Sequence, residues 1–288
     1  MNEGKVRIST AKIISTIILA IVIMVMAQVM SELIGSLAEL IGISIAAEYT
    51  VTGILYPIIA FLLIKLLCGK FLKMSLGDCK MPKFTLRPIW VAAAIIMPCL
   101  VSLVLCLTPG HWQNNMMSRT EISQIVTGAV FVVGIGSGLV EEMLFRGVIM
   151  SVMEKRWNKY VAIFVPSVLF GLIHIIGRRL DLLSIIQLII AGSIVGILFS
   201  LVTYASGNVW NSAIIHGVWN TIMIGGILQI GESAEEYSIY NYVLDTDSFL
   251  ITGGDFGVEA SVVAILAYLV FTALALYLLK DDSARDKH

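Results

Sequence analysis

Residues 183–204 read LSIIQLIIAGSIVGILFSLVTY, a stretch of 22 residues without one charged side chain. A helix of this length spans about 33 Å, which is enough to cross the roughly 30 Å hydrocarbon core of a bilayer. Every backbone N–H and C=O group in lipid needs an internal partner, so an isolated apolar run of this kind must be helical. The stretch therefore predicts a transmembrane helix.

Comparable apolar runs recur along the whole chain. Hydrophobic residues make up 58% of the 288 residues. Charged residues make up only 14%, against roughly 25% in soluble domains. The sequence lacks the alternating ten-residue segments that would indicate a membrane barrel. We predict an all-α polytopic membrane helix bundle that forms a single membrane domain over residues 1–288, with about eight transmembrane helices. The predicted spans are 12–31, 47–64, 88–107, 123–153, 160–177, 183–204, 209–229 and 257–279.

The charges of the loops predict the orientation of the bundle. Residues 65–87 carry six basic residues and one acidic residue, whereas residues 230–257 carry six acidic residues and no basic residue. The positive-inside rule then places the basic loops and both termini in the cytoplasm, and we expect a bacterial plasma membrane. Arg178 and Arg179, in a short loop on the opposite side, are an exception to this pattern.

Composition also argues against several classes of function. The net charge of −1 does not suit a protein that binds nucleic acid, so no nucleic-acid partner is expected. The four cysteines, Cys68, Cys79, Cys99 and Cys106, show no C-x-x-C pair or other metal spacing. The H-E-x-x-H motif of soluble zinc proteases is absent from the sequence.

Ionisable side chains in the middle of the predicted spans occur at few positions. A charge at the centre of a membrane helix costs about 2.5–3.5 kcal/mol, so each one needs a reason. Glu141, Glu142 and Arg146 lie in the fourth span, His174 lies in the fifth and His216 lies in the seventh. Their concentration in three helices predicts a polar site inside the membrane.

Helical spacing predicts how these residues are paired. Glu142 and Arg146 are four residues apart and share a face, so we expect an ion pair between them. Glu141 lies about 100° further around the helix, which leaves its carboxylate available. His216 and Asn220 share one face of the seventh span. Helical rise alone places His216 about 10 Å nearer the cytoplasmic end than Glu141, so spacing does not by itself bring the two together.

One free carboxylate, two imidazoles and an amide allow more than one chemistry. A buried carboxylate can act as a general base, and imidazoles can orient a water. An asparagine amide can donate to an oxyanion, so the set suits the addition of water to an amide carbonyl. Glu141, His174 and His216 also form a candidate set of ligands for a divalent metal such as zinc. Buried acids and histidines serve proton-coupled transporters as well, and a membrane immunity factor without turnover is a further alternative.

The three motifs together resemble a known protein family. They are E-E-x-x-x-R from Glu141, F-x-x-x-H ending at His174, and H-x-x-x-N from His216, each inside a predicted span. In this order they resemble the CAAX protease and bacteriocin-processing family, also called Abi, whose eukaryotic relatives are the type II CAAX prenyl endopeptidases. The resemblance implies an intramembrane endopeptidase of eight helices, with catalytic helices over residues 123–229.

The resemblance also implies a substrate and the roles of two acidic residues. The cavity of such an endopeptidase would be reached from the membrane or the cytoplasm. The substrate would be a membrane-anchored protein or peptide of the prenylated CAAX or bacteriocin type. Glu141 matches the glutamate that activates water, and Glu142 with Arg146 matches the pair that supports it. His174 matches the histidine that helps to hold the water.

The last motif implies how the transition state is stabilised. His216 and Asn220 match the groups that stabilise the oxyanion. Members of this family have been described both as metalloproteases and as metal-independent glutamate proteases. A zinc ion held by Glu141, His174 and His216 and a metal-free glutamate mechanism are therefore both compatible with the sequence.

Overall fold

The computed structural model describes residues 8–285 and shows a helix bundle. The chain ends, for which the loop charges predict a cytoplasmic location, lie outside the described residues. Within these residues, one main helix corresponds to each predicted span. The helices are α1 (Thr10–Leu40), α2 (Ile45–Leu66), α3 (Pro88–Cys106), α4 (Arg119–Arg156), α5 (Lys159–Ile173), α6 (Leu182–Ser206), α7 (Trp210–Met223) and α8 (Val262–Arg285).

Six of these eight helices are long and apolar enough to cross a membrane, which confirms the all-α membrane bundle. The other two, α5 and α7, have 15 and 14 residues, so helix length does not confirm eight complete spans. The predicted ends of both were too late. Gly177 and Gly226 follow these helices in the left-handed region, with φ of +79° and +77°, and turn the chain away.

The helix α4 is interrupted by two π-helical stretches. These are Gly128–Ser137 and Met143–Ile149, and they flank the α-helical turns of Gly138–Glu142. A π-helical stretch changes which side chains face a neighbouring helix, and such stretches occur frequently at functional sites. The two glutamates of the predicted site thus lie between two irregular parts of α4.

A small sheet, which the sequence analysis did not predict, lies at the end of the bundle that carries the acidic loop. Its strands are β1 (Gly110–Asn114), β2 (Leu228–Gly231) and β3 (Tyr240–Leu244), in the order β1-β3-β2. β1 pairs with β3 antiparallel, and β2 pairs with β3 parallel. The sheet connects the loop after α3 to the segment after α7.

Glycines allow the central helices to approach closely. A Cβ atom on Gly138 of α4 would lie 2.7 Å from the Cα atom of Gly217 in α7. In the same way, a Cβ atom on Gly192 of α6 would lie 2.7 Å from the Cα atom of Gly171 in α5. Real Cβ atoms do not come so close, so larger residues at these positions would push the helices apart. The four helices that carry or surround the predicted site residues are therefore held in direct backbone contact.

Candidate active site

Three side chains from three helices converge in one part of the bundle. The Oε2 atom of Glu141 lies 4.0 Å from Nε2 of His174 and 3.9 Å from Nε2 of His216. Glu141 belongs to α4, His174 caps the end of α5, and His216 lies in α7. The difference in depth that helical rise suggests does not keep them apart. Oε2 of Glu141 is buried and has no hydrogen-bond partner among the described residues.

The ion pair expected from helical spacing is present. Nη1 of Arg146 donates to Oε1 of Glu142 at 2.9 Å, and both side chains are completely buried. Nη2 of Arg146 also donates to the carbonyl oxygen of Gly196 in α6 at 3.3 Å. An unpaired buried charge is strongly unfavourable, so the two residues compensate each other. The pair links α4 to α6.

Hydrogen bonds on the far side of each imidazole ring orient the two histidines. Nδ1 of His174 lies 2.7 Å from the carbonyl oxygen of Phe170, and Nδ1 of His216 lies 3.2 Å from Oε1 of Glu142. A carbonyl or carboxylate oxygen only accepts, so each Nδ1 carries the proton and donates. In the neutral form, each Nε2 is then left with a lone pair that faces Glu141.

Aromatic rings enclose these groups. The ring of Phe170 lies 4.7 Å from the ring of His174 and 5.7 Å from that of His216, between centroids. The guanidinium of Arg146 lies 4.4 Å from the centre of the Phe170 ring. The ring of Phe199 stacks on His216 at 5.0 Å. Phe199 was missed by the sequence analysis, because nothing in its apolar span distinguishes it from its neighbours.

Asn220 lies one helical turn after His216, and both side chains line a cavity between the helices. Its Nδ2 atom donates to the carbonyl oxygen of Val133 in α4 at 3.3 Å. A side-chain amide has two N–H bonds, so this contact fixes the group and leaves the second hydrogen for another acceptor. Asn220 can therefore donate to an oxygen atom in the cavity.

The cavity beside these residues has a volume of about 80 Å³. His174, His216 and Asn220 line it, together with two residues that the sequence analysis did not place in the site, Arg178 and Glu259. Arg178 follows α5, and Glu259 precedes α8. Arg178 lies just after the fifth predicted span and Glu259 lies at the start of the eighth, so helical spacing did not relate either to the site, although the exceptional charge of Arg178 in its loop was a signal.

The geometry suits a water better than a zinc ion. Zinc holds nitrogen and oxygen ligands at about 2.0–2.2 Å, which in a tetrahedral site separates the ligand atoms by about 3.4 Å. The observed separations of 4.0 and 3.9 Å are wider. Within residues 8–285, no group of three His, Cys, Asp or Glu side chains is suitable to hold a metal. Glu141, His174 and His216 have suitable donor atoms but do not fit zinc at this spacing.

Comparison with known proteins gives one match, to a family. The family model described as Type II CAAX prenyl endopeptidase Rce1-like matches residues 123–222. This segment includes Glu141, Glu142, Arg146, His174, His216 and Asn220. No curated protein and no solved structure matches the chain. The match confirms the resemblance that the three motifs predict.

Proposed function

We propose that this integral membrane protein, whose residues 123–222 match the Type II CAAX prenyl endopeptidase Rce1-like family model, is an intramembrane endopeptidase that uses Glu141 as its general base. The observation that carries the proposal is the convergence of Oε2 of Glu141 with Nε2 of His174 and Nε2 of His216, at 4.0 and 3.9 Å. These three atoms surround a position suitable for a reacting water.

The spacing of the three atoms supports a bound water. A water oxygen that makes hydrogen bonds of about 2.8 Å to two atoms, at nearly a right angle, separates them by about 4 Å. In this arrangement the water donates one hydrogen to Glu141 and the other to an unprotonated Nε2 atom. The rings of Phe170 and Phe199 pack against the two imidazole rings, and these phenyl rings offer Glu141 no hydrogen-bond donor.

The proposed reaction begins with the removal of a proton from this water. Glu141 accepts the proton, the water oxygen forms a bond to the peptide carbonyl carbon, and the carbonyl electron pair moves to the carbonyl oxygen. The second N–H of Asn220 donates to the resulting oxyanion. The C–N bond then breaks, and the leaving nitrogen takes the proton from Glu141. The products are a carboxylic acid and an amine, so atoms and charge balance.

The proposed role of His216 depends on its protonation state. Its Nδ1 already donates to Glu142, so Nε2 can donate to an oxyanion only when the ring carries both protons. The neutral ring would instead accept from the water, as His174 does. With both protons, His216 would donate to the oxyanion beside Asn220.

The proposed substrate is a peptide or protein anchored in or beside the membrane. Prenylated CAAX proteins and bacteriocin-type leader peptides are the two classes that the family suggests, with the bacterial plasma membrane as the proposed location. The four helices α4 to α7 would form the catalytic part. A protein that served only in immunity or proton transport would retain these residues without cleaving peptides.

The test is cleavage by the purified full chain in detergent. We would incubate it with a fluorogenic farnesylated CAAX peptide and a panel of apolar leader-type peptides, beside the Glu141→Gln variant. We expect at least one peptide to be cleaved by the native chain and none by the variant, with the same helical content in both. Equal cleavage by both proteins would remove Glu141 from the role. No cleavage across the panel would favour a function without turnover.

The same assay tests the metal. Incubation with a chelator followed by zinc should leave the cleavage rate unchanged if water is activated by Glu141 alone. Loss of cleavage with the chelator and recovery with zinc would instead show a metal-dependent reaction and contradict the mechanism above.

A further inference from the structure

The active-site cavity is buried at one end and exposed at the other. Its inner end is formed by Phe199 and Phe170, which are only 1% and 4% exposed. Its other end is formed by Arg178, Phe256 and Ile224, where Arg178 is exposed and Ile224 is 41% exposed. The mouth of the cavity therefore lies between the loop after α5, the end of α7 and the turns that precede α8.

The opposite end of the bundle is closed by the basic loop between α2 and α3. The carbonyl oxygen of Lys80 accepts from the backbone N–H of Val209 at 2.9 Å, and that of Pro82 accepts from Nε1 of Trp210 at 3.0 Å. Nζ of Lys80 also pairs with Glu154 at 2.9 Å. These contacts fasten the loop to the start of α7 and the end of α4. A separate cavity of about 670 Å³ at this end is lined by none of the predicted catalytic residues.

The loop charges assign these two ends to different sides of the membrane. The closed end carries residues 65–87, with six basic residues and one acidic residue. The acidic segment 230–257, with six acidic residues and no basic residue, belongs to the end that carries the mouth. By the positive-inside rule, the closed end faces the cytoplasm and the mouth faces the extracytoplasmic side.

Arg178, one of the two basic residues that break the charge pattern on this outer side, lies at the mouth. It is the one Lys or Arg that lines the described cavity. Its guanidinium lies 4.5 Å from the centre of the Phe256 ring. A guanidinium held against an aromatic ring is preorganised for a carboxylate, because its planar N–H groups match two oxygen atoms.

Arg178 forms no ion pair with a carboxylate at 4.0 Å or less in the part of the chain that the structure describes. Glu259 is the acid nearest to it in the cavity wall. Burial raises the pKa of Glu259 to about 7, against a smaller opposing effect of Arg178, so this carboxyl is partly neutral near neutral pH. Arg178 therefore retains a positive charge available to a ligand.

We propose that the substrate is a peptide segment on the extracytoplasmic side of the membrane, an inference that rests on the proposed function. A carboxylate of this segment pairs with Arg178 while the scissile bond lies beside Glu141. The carboxylate belongs either to the C-terminus of the substrate or to an acidic side chain. A prenylated C-terminus in the cytoplasm would approach the closed end of the bundle and would not reach this mouth.

The first experiment determines the side of the mouth. The four native cysteines are replaced by alanine, and single cysteines are introduced by Arg179→Cys, beside the mouth, and by Lys83→Cys, in the basic loop. A membrane-impermeant maleimide is then added to intact spheroplasts and to permeabilised ones. We expect labelling at position 179 in intact spheroplasts and at position 83 only after permeabilisation. The reverse pattern would place the mouth in the cytoplasm and overturn the proposal.

The second experiment measures recognition of the carboxylate without cleavage. Binding of an apolar fluorescent pentapeptide with a free C-terminus is measured on the Glu141→Gln protein, beside the C-terminal amide and an amide that contains one internal glutamate. We expect one of the two carboxylate peptides to bind at least tenfold more tightly than the plain amide. Adding Arg178→Gln should abolish this difference, whereas Arg179→Gln, one residue away and outside the cavity wall, should preserve it.

The two experiments separate this proposal from the proposed function. Equal binding of all three peptides, or a preference that survives Arg178→Gln, would overturn the role of Arg178. Neither labelling nor binding requires turnover. A protein that binds the carboxylate peptide through Arg178 from the outer side but cleaves nothing would therefore overturn the endopeptidase and leave this recognition site established.

Discussion

Nδ1 of His216 lies 3.2 Å from Oε1 of Glu142, a carboxylate oxygen that is completely buried. The same oxygen accepts from Arg146 at 2.9 Å. Glu142 therefore has two tasks, since it neutralises a buried guanidinium and also orients the ring that faces Glu141. The first task concerns stability and the second concerns the site, so variants of the two partners should behave differently.

Removal of Arg146 should destabilise the protein strongly. In Arg146→Ala, the carboxylate of Glu142 remains buried without its cationic partner, at a cost of about 3–5 kcal/mol. The measurement is the free energy of unfolding in detergent, from denaturant titration followed by circular dichroism. Arg119→Ala, at the exposed start of the same helix, is the control and should change stability by less than about 0.5 kcal/mol. Equal stability of the two variants would contradict the importance of the buried pair.

Removal of the amide of Asn220 should affect the rate more than the stability. Asn220→Ala loses the second N–H that we assign to the oxyanion, so kcat should fall about 10²–10³-fold with little change in KM. Thr221→Ala is a suitable control, because the Thr221 hydroxyl donates to backbone carbonyls at 2.8 and 3.3 Å and lies outside the cavity wall. A rise in KM at constant kcat would show that Asn220 binds the substrate rather than the transition state.

The close approach of α4 and α7 should be sensitive to one methyl group. In Gly138→Ala, the new Cβ atom would meet the Cα atom of Gly217 at 2.7 Å, so the helices must separate. Because Glu141 and His216 lie on these two helices, we expect cleavage to fall at least tenfold.

The control for this variant is Gly69→Ala, where no atom lies within 4 Å of the added methyl group. Both variants gain the helix propensity of alanine, so propensity cannot explain a difference between them. Unchanged cleavage in Gly138→Ala, together with unchanged stability, would show that the site tolerates a wider separation of the helices than the structure indicates.

The sequence predicts the parts of this protein that depend on local spacing. Apolar runs are sufficient to locate the helices, because backbone polar groups in lipid require internal hydrogen bonds. The pair of Glu142 with Arg146 follows from a four-residue separation on one helix. The three motifs also predict the similarity to the family model that matches residues 123–222.

The sequence does not predict the parts of the protein that depend on how the helices pack. Helical rise separates Glu141 from His216 in depth, and it takes no account of the backbone contact at Gly138 or of the π-helical stretches. The mouth residues lie in loops without periodicity. Similarly, the Sγ atoms of Cys68 and Cys79 lie 3.3 Å apart, although their spacing in the sequence indicated no pair.

Glu259 should make stability depend on pH. Burial raises its pKa to about 7 in the folded protein, from an ordinary value of 4.5, and the charge of Arg178 opposes this shift. Below pH 4.5 the carboxyl is protonated in both states and has no effect. As the pH rises towards 7, the unfolded chain loses this proton more readily than the folded protein, so the stability falls and then levels off.

The variant Glu259→Gln should remove this dependence. We expect it to melt at a higher temperature than the native chain at pH 8 in detergent, with the difference disappearing near pH 4.5. Glu236→Gln, on the exposed acidic segment, is the matched control and should follow the native chain at both pH values. His174 lines the same cavity, so the comparison is repeated in a His174→Gln background. A lower melting temperature for Glu259→Gln at pH 8 would mean that the charged carboxylate is stabilised in the fold, contrary to the burial argument.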